Sequence, residues 1–260
     1  MQKRLYILSV IIIMVTVVSC RKDDTGMKEP VRHSTELTAS GSSQANRNVV
    51  DPLTVGLEAW YKFDNNLKDA AGKSPEGIPT TRGVSYSMDR KGNSKSAIYF
   101  DNKYGVKLPK IKQQTNTSLS VWVKYADQDG INTIIRPSLY GPFLISDKTG
   151  GGWGFPVEYH CYGGVRLNGD VSSYVDVVFS YSYVWHHFVV TYDGTIMKFY
   201  GNGNLVASKS YAGTINQALA EYFLGYDPGD NSALWNGWMD ELRFYSRTLS
   251  PTDVQKLYNQ

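Results

Sequence analysis

Eleven short apolar and aromatic runs follow one another between residues 57 and 245, separated by turn residues and by no helical period. They are LEAWYKF (57–63), SAIYF (96–100), SLSVWV (118–123), TIIR (133–136), WGFPVEYH (153–160), YVDVVF (174–179), HHFVVTY (186–192), IMKFY (196–200), LVASKS (205–210), YFLGY (222–226) and WMDELRFY (238–245). So many strands without helices between them exclude a parallel βαβ sheet and predict two antiparallel sheets in a sandwich or jelly roll. Asp193-Gly194 and Asn202-Gly203 each tolerate the positive φ of a type I′ turn, which makes 186–192, 195–200 and 205–210 a three-stranded meander. The single helix signal comes last. Ser250 can cap, Pro251 suits the first turn, Asp253 suits the positive end of the dipole, and Val254, Leu257 and Tyr258 share one face. That helix is expected to close one end of the sandwich.

The first 20 residues stand apart from this body. Lys3 and Arg4 precede an apolar run from Leu5 to Val18, too short to span a bilayer but suited to the core of a secretory signal. The run ends in Val17-Val18-Ser19-Cys20, which resembles the bacterial lipobox, where the cysteine becomes the lipidated first residue. The following Arg21-Lys22-Asp23-Asp24 resembles the export signal of Bacteroidetes lipoproteins, which implies an outer-membrane lipoprotein facing the exterior and held to the membrane by lipid alone. Residues 21–54 are polar and aperiodic and read as a flexible tether of 34 residues, with a reach of roughly 30 Å. The body is then 55–260. It holds 20 Lys and Arg against 19 Asp and Glu, with no basic block, so nucleic acid is excluded as a partner. The densest basic run, KLPKIK at 107–112, reads as a solvated loop.

Cys161 is the body's one cysteine, so no internal disulfide holds it together. Neighbouring strand residues face opposite ways, which separates Cys161 from His160 and His186 from His187. No third ligand lies at metal spacing beside either of the paired histidines. Cys161 is expected in the core, and the two histidines in structural roles.

The order WYKFDNNLKDAAG (60–72), SAIYFD (96–101), SLSVWVK (118–124), WHHFVVTYDGTIMKFYGNGNLVAS (185–208) and GWMDELRFYSRTLSPTDVQKLYN (237–259) resembles the laminin-G-like domain of the concanavalin A-like lectin/glucanase superfamily. The resemblance spans about residues 57–259, with Asn-Gly at 202–203 where Asp-Gly is more usual. It implies a jelly roll of two antiparallel sheets, one concave, a fold that hosts lectins, adhesion modules and hydrolases alike.

Glycoside hydrolysis needs two carboxylates about 5–10 Å apart on one face. The body's five glutamates, Glu58, Glu76, Glu158, Glu221 and Glu241, each lack a carboxylate two residues away, and Asp240 and Glu241, being adjacent, should point oppositely. The expectation is a non-catalytic module. Asp64, Asn66 and Asp69, with Asp240, are the candidate oxygen ligands for Ca²⁺. They can equally build a turn, with Asp240 paired to an arginine such as Arg243. DQDGIN (127–132) begins like an EF-hand loop but carries Ser138 where a glutamate is needed. For sugar stacking the candidates are Tyr140 in loop 137–142, with Tyr226, Asp227, Asp230, Asn231 and Trp235 in loop 226–236, against the alternative that these rings fill the core. A nearly neutral body with many aromatics suits neutral polysaccharide or a glycoconjugate. Two other readings stay open: an adhesion or envelope-assembly module that binds an envelope or host protein, and a hydrolase or lyase with two carboxylates facing each other on the concave sheet.

Overall fold

The computed structural model describes residues 50–80, 84–126, 128–149, 158–168, 171–179, 183–230 and 234–260. Cys20, Asn231 and the start of WGFPVEYH lie outside them. The strands are β1 (Leu57–Tyr61), β2 (Ile78–Pro79), β3 (Ser85–Ser87), β4 (Ala97–Asp101), β5 (Val106–Gln113), β6 (Thr117–Tyr125), β7 (Asn132–Pro137) and β8 (Gly141–Thr149), continuing with β9 (Glu158–Leu167), β10 (Val171–Phe179), β11 (Trp185–Tyr192), β12 (Ile196–Gly201), β13 (Asn204–Ser210), β14 (Ala218–Leu224) and β15 (Asn236–Tyr245). A front sheet runs β13-β12-β11-β6-β15-β4-β3, with β1 also paired to β15, and a back sheet runs β10-β9-β8-β7-β14-β5-β2. All the pairings are antiparallel. The sandwich read from the sequence is the one observed.

Period-2 alternation sends one set of side chains from each sheet into a shared core. Leu119, Val121, Val123, Phe188, Val190 and Met239 come from the front, and Leu108, Ile111, Leu144, Cys161, Val165 and Tyr222 from the back. Burial pushes the Cys161 thiol up to about 12, so it stays protonated and inert. KLPKIK is not a loop. It forms most of β5, with Leu108 and Ile111 buried while Lys110 and Lys112 are exposed. β8 is a strand the apolar runs did not include. At the N-terminus Asp51 caps a turn at Pro52–Thr54 through Leu53 N, and Leu53 is buried, so the packed body reaches into the stretch read as tether.

The meander forms through two different turns. Asn202 (φ 48°) and Gly203 (φ 82°) take the type I′ conformation, whereas at Asp193-Gly194 only the glycine is left-handed (φ 95°). There the Asp193 carboxylate accepts from the Thr195 and Ile196 amides and the Thr195 hydroxyl, at 2.7–2.9 Å. The last helix, α1 (Pro251–Tyr258), starts with the expected capping box between Ser250 and Asp253. It does not close an end of the sandwich. Val254 and Leu257 join a second buried cluster with Leu53, Leu57, Val189, Tyr200, Tyr245 and Leu249, and since Val190 belongs to the main core, that cluster covers the outer face of the front sheet.

His186 and His187 diverge as expected. His186 stacks on Phe188 at 5.8 Å and packs against Phe179 at 5.1 Å. His187 faces out beneath the C-terminal residues, 5.1 Å from the Trp122 ring and 6.0 Å from that of Tyr258, with Nε2 3.0 Å from Ser120 Oγ. Burial, then Arg243 and Arg90, lower its pKa from 6.5 to about 3. A depressed pKa means the unfolded chain takes up this proton first, so the stability that the neutral imidazole contributes is present above pH 6.5 and is lost as pH falls toward 3. Chemical denaturation across that window should show a shallower acid slope for His187→Gln than for the unsubstituted protein. Parallel slopes would contradict the assignment.

Candidate functional site

The outer face of the back sheet carries the candidate site. Along β9 the odd residues Cys161 and Val165 enter the core, which turns Tyr162, Gly164 and Arg166 outward. A cleft of about 480 Å³ lies there, and its lining includes Arg136, Phe143, Tyr162, Arg166, Ser172 and Tyr174. Two glycines make this surface possible. A Cβ at Gly163 would come within 2.5 Å of the Phe199 ring inside, and one at Gly164 within 2.3 Å of the Phe143 ring outside, so Phe143 lies over the bare backbone as part of the cleft floor.

The polar groups of this face are arranged by register. Tyr162 opposes Ile145 on β8 and Asp176 on β10, and His160 opposes Asp147 and Val178. The Asp176 oxygens lie 2.9 and 3.0 Å from His160 Nδ1, and Glu158 lies 3.5 Å from Nε2. The Tyr162 ring meets Tyr174 edge-on at 5.5 Å. Burial, then Asp176 and Asp147, hold the Tyr162 hydroxyl above its ordinary value, so it is a hydrogen-bond donor at neutral pH.

The residues named from the sequence are placed differently. Trp235 is 1% exposed and packs among Phe100 and Tyr125 in the core; it presents no face to a ligand. Tyr140 is partly buried against the core. Tyr226 sits edge-on to Phe223 at 5.3 Å, with its ring in the space a side chain at Gly105 would fill. Asp227 is buried and ion-paired to Arg136, and accepts from Gly229 N, so it holds an arginine of the cleft. Asp230 is exposed and bridges back to Asp227. The run WGFPVEYH stops at His160 and so leaves out the cleft residues of β9, although Tyr162, Gly164 and Arg166 continue its alternation.

The calcium ligands expected from FDNNLKD do not fit the ion. Asp69 takes four backbone N–H donors on its two oxygens, from Trp60, Ala71, Lys73 and Ser74 at 2.7–2.9 Å. The Asn66 side chain spans its own loop, accepting from Lys68 N and donating to Asp64 O, and Asp64 is exposed. Asp240 pairs with Arg90 at 2.6 Å. Among the described residues no three His, Cys, Asp or Glu side chains are grouped to hold a metal. Asp240 and Glu241 do not point oppositely either. A bulge between Asp240 and Arg243, with Glu241 at φ 54°, turns both outward, where Glu241 accepts from Trp60 Nε1 at 2.6 Å and pairs with Arg243 at 2.7 Å. Burial and Glu241 push the Asp240 carboxyl up to about 7 against the pull of Arg90.

The front sheet's outer aromatics are engaged as well. Trp238 stacks on Tyr99 at 4.8 Å, the Lys124 ammonium lies 4.2 Å from Trp238 and 5.3 Å from Trp185, and Arg90 covers Trp122.

Residues 100–255 match the family model Laminin_G_3, described as the concanavalin A-like lectin/glucanases superfamily. No curated protein matches the sequence. Domain 4 of a GH43 extracellular arabinanase from Geobacillus stearothermophilus, solved with arabinotriose, is similar at 24% identity and TM-score 0.57, over 78% of this chain and 98% of that one. The binding domain of botulinum neurotoxin DC in complex with SialylT is similar at 16% identity and TM-score 0.58, over 80% of this chain and 52% of that one. For botulinum neurotoxin type C, whose cell entry is described as dependent on two ganglioside molecules, the values are 16% and 0.58, over 78% and 51%. The chain thus spans about half the length of the toxin domains, and at these identities the likeness shows the fold.

Replacing Asp69 by alanine leaves four amides without their acceptor and should cost about 2 kcal/mol, while melts in EDTA and in millimolar Ca²⁺ should coincide. A calcium-dependent rise of several degrees, abolished by Asp64→Ala, would restore the metal site.

Proposed function

The chain belongs to the concanavalin A-like lectin/glucanase superfamily, and on that premise we propose that its body is a non-catalytic carbohydrate-binding module whose ligand lies in the cleft over β7–β10. One observation carries this reading. The back sheet keeps an outer cleft of about 480 Å³ in which apolar rings and polar donors converge, while the outer face of the front sheet is occupied by α1 and by cations lying on its indoles. Sugars bind by laying C–H faces on rings and fixing hydroxyls with flanking polar groups. Tyr174, with 52% of its surface exposed, supplies a ring, and Tyr162 and Ser172 supply donors. The carbohydrate and ganglioside ligands of the similar structures agree with a glycan partner.

Tyr162→Ala and Tyr174→Ala should each weaken retention on polysaccharide by about tenfold, the loss expected for 1–1.5 kcal/mol of contact, with a nearly unchanged melting temperature. Trp235→Ala, in contrast, should lose 3–5 kcal/mol of stability, as truncated core aromatics do. Retention unaffected by both tyrosine variants would place the ligand elsewhere. Asp147 and Asp176 flank Tyr162 on this same face, and release of reducing or unsaturated ends during the binding experiment would turn retention into cleavage.

The module is placed outside the cell on a lipid at Cys20, a reading supported by Val17-Val18-Ser19-Cys20 and Arg21-Lys22-Asp23-Asp24. Shallow sugar sites are individually weak, and many anchored copies meeting a repeating polymer supply retention through multivalency. Protease added to intact cells should remove the body, and Cys20→Ser should release it from the membrane fraction. Protection in intact cells would contradict the outward orientation.

A further inference from the structure

The middle of the cleft is apolar, and the strand register shows why. Phe143 on β8, Gly164 on β9 and Tyr174 on β10 stand in one cross-strand row, and Ile145, Tyr162 and Asp176 stand in the next. Two residues separate the rows along each strand, so both belong to the outer face. Gly164 brings no side chain, and the Phe143 ring takes the space that a Cβ there would fill. Phe143, Ile145, Tyr162 and Tyr174 therefore form one patch of the lining, with Ile131, 63% exposed, at its rim. The charged groups around the patch are engaged within the protein. Arg136 is ion-paired to Asp227, Asp176 pairs with His160 Nδ1 at 2.9 Å, and Arg166 has its own interactions. Among the described residues no carboxylate lines the cleft. What it offers a ligand is apolar surface, with the hydroxyls of Tyr162, Ser172 and Tyr174 at the border. A bare sugar hydroxyl laid on Phe143 or Ile145 would give up its water without gaining a partner, which is unfavourable. An O-acetyl ester removes that O–H. It puts in its place a methyl, whose burial is favourable, and a carbonyl, which accepts a hydrogen bond.

Resting on the carbohydrate-binding reading above, we propose that the cleft selects O-acetylated units of a neutral polysaccharide, with the acetyl methyl seated on Ile145 and Phe143 and its carbonyl accepting from the Tyr162 hydroxyl. Tyr174 then takes the C–H face of the sugar that carries the ester. Methyl and carbonyl act together: the apolar patch holds the one, and the tyrosine hydroxyl beside it satisfies the other.

The test is frontal affinity chromatography on the immobilised full chain. The probes are oligosaccharides from acetylated glucomannan and acetylated xylan, each before and after mild alkali, which removes the ester and keeps the sugars. At least one acetylated probe should be retained about tenfold more tightly than its alkali-treated form. Ile145→Thr keeps the β-branch and replaces the ethyl arm by a hydroxyl; it should lose that preference while binding the alkali-treated form unchanged. Tyr162→Phe, which keeps the ring and removes the hydroxyl, should lower the preference in the same direction. Should Ile145→Thr unfold, Tyr162→Phe carries the test. Equal retention of both forms, retention of the alkali-treated form alone, or a preference that survives both substitutions would overturn the acetyl selection and leave the carbohydrate-binding reading standing. Retention of no oligosaccharide at all would remove both.

Discussion

The two sheets hold each other by contact between their inner faces, and every other property of the body follows from that contact. The one cysteine of the body is a buried free thiol, so apolar burial does the joining. The inner layer is dense: Phe188 stacks on Phe199 at 5.4 Å, Tyr125 packs tilted against Phe179 at 4.5 Å, and Trp235 fills the space beside Phe100. Because strand side chains alternate, filling the inside commits each following residue to the outside. The outer faces are thus determined by the same register that builds the core.

Those outer faces have different fates. On the front sheet, the bulge at Glu241 brings Asp240, Glu241 and Arg243 to one side, where the arginine and lysine cations lie on Trp60, Trp122 and Trp238, and the C-terminal helix packs against Val189, Tyr200 and Tyr245. Ring faces covered in this way are not offered to a ligand. On the back sheet, the paired glycines of β9 remove bulk from the middle of the strand and let Phe143 lie down across it. What remains is a cleft with an apolar floor, bordered by Tyr162, Ser172 and Tyr174. The functional asymmetry of the sandwich rests on two glycines and one bulge.

How much of this was legible in the chain depends on whether the signal was local. Runs such as SLSVWV and HHFVVTY show their period directly, and Ser250-Pro251 with Asp253 announces a helix start; these elements form where expected. KLPKIK was misread because lysines dominate its composition, although Leu108 and Ile111 mark the buried side. The site was the least legible part. Tyr140, Tyr226 and Trp235 lie in or beside loops, where composition does not separate a packing ring from a binding one. Trp235 is core because its ring packs against Phe100 and Tyr125, long-range contacts with no local signature. The expectation that Asp240 and Glu241 point oppositely failed for one reason, a left-handed residue in mid-strand that no composition rule anticipates.

The central claim is that the outer face of the back sheet is the ligand surface. Amide chemical-shift mapping of the full chain during titration with an oligosaccharide it retains tests this most directly. The account predicts that the largest changes fall on Tyr162, Gly164 and Arg166 of β9, with Ser172 and Tyr174 of β10. Changes confined to Tyr140 and the 226–235 loop, or to the front sheet around Trp185 and Trp238, with β9 silent, would contradict it.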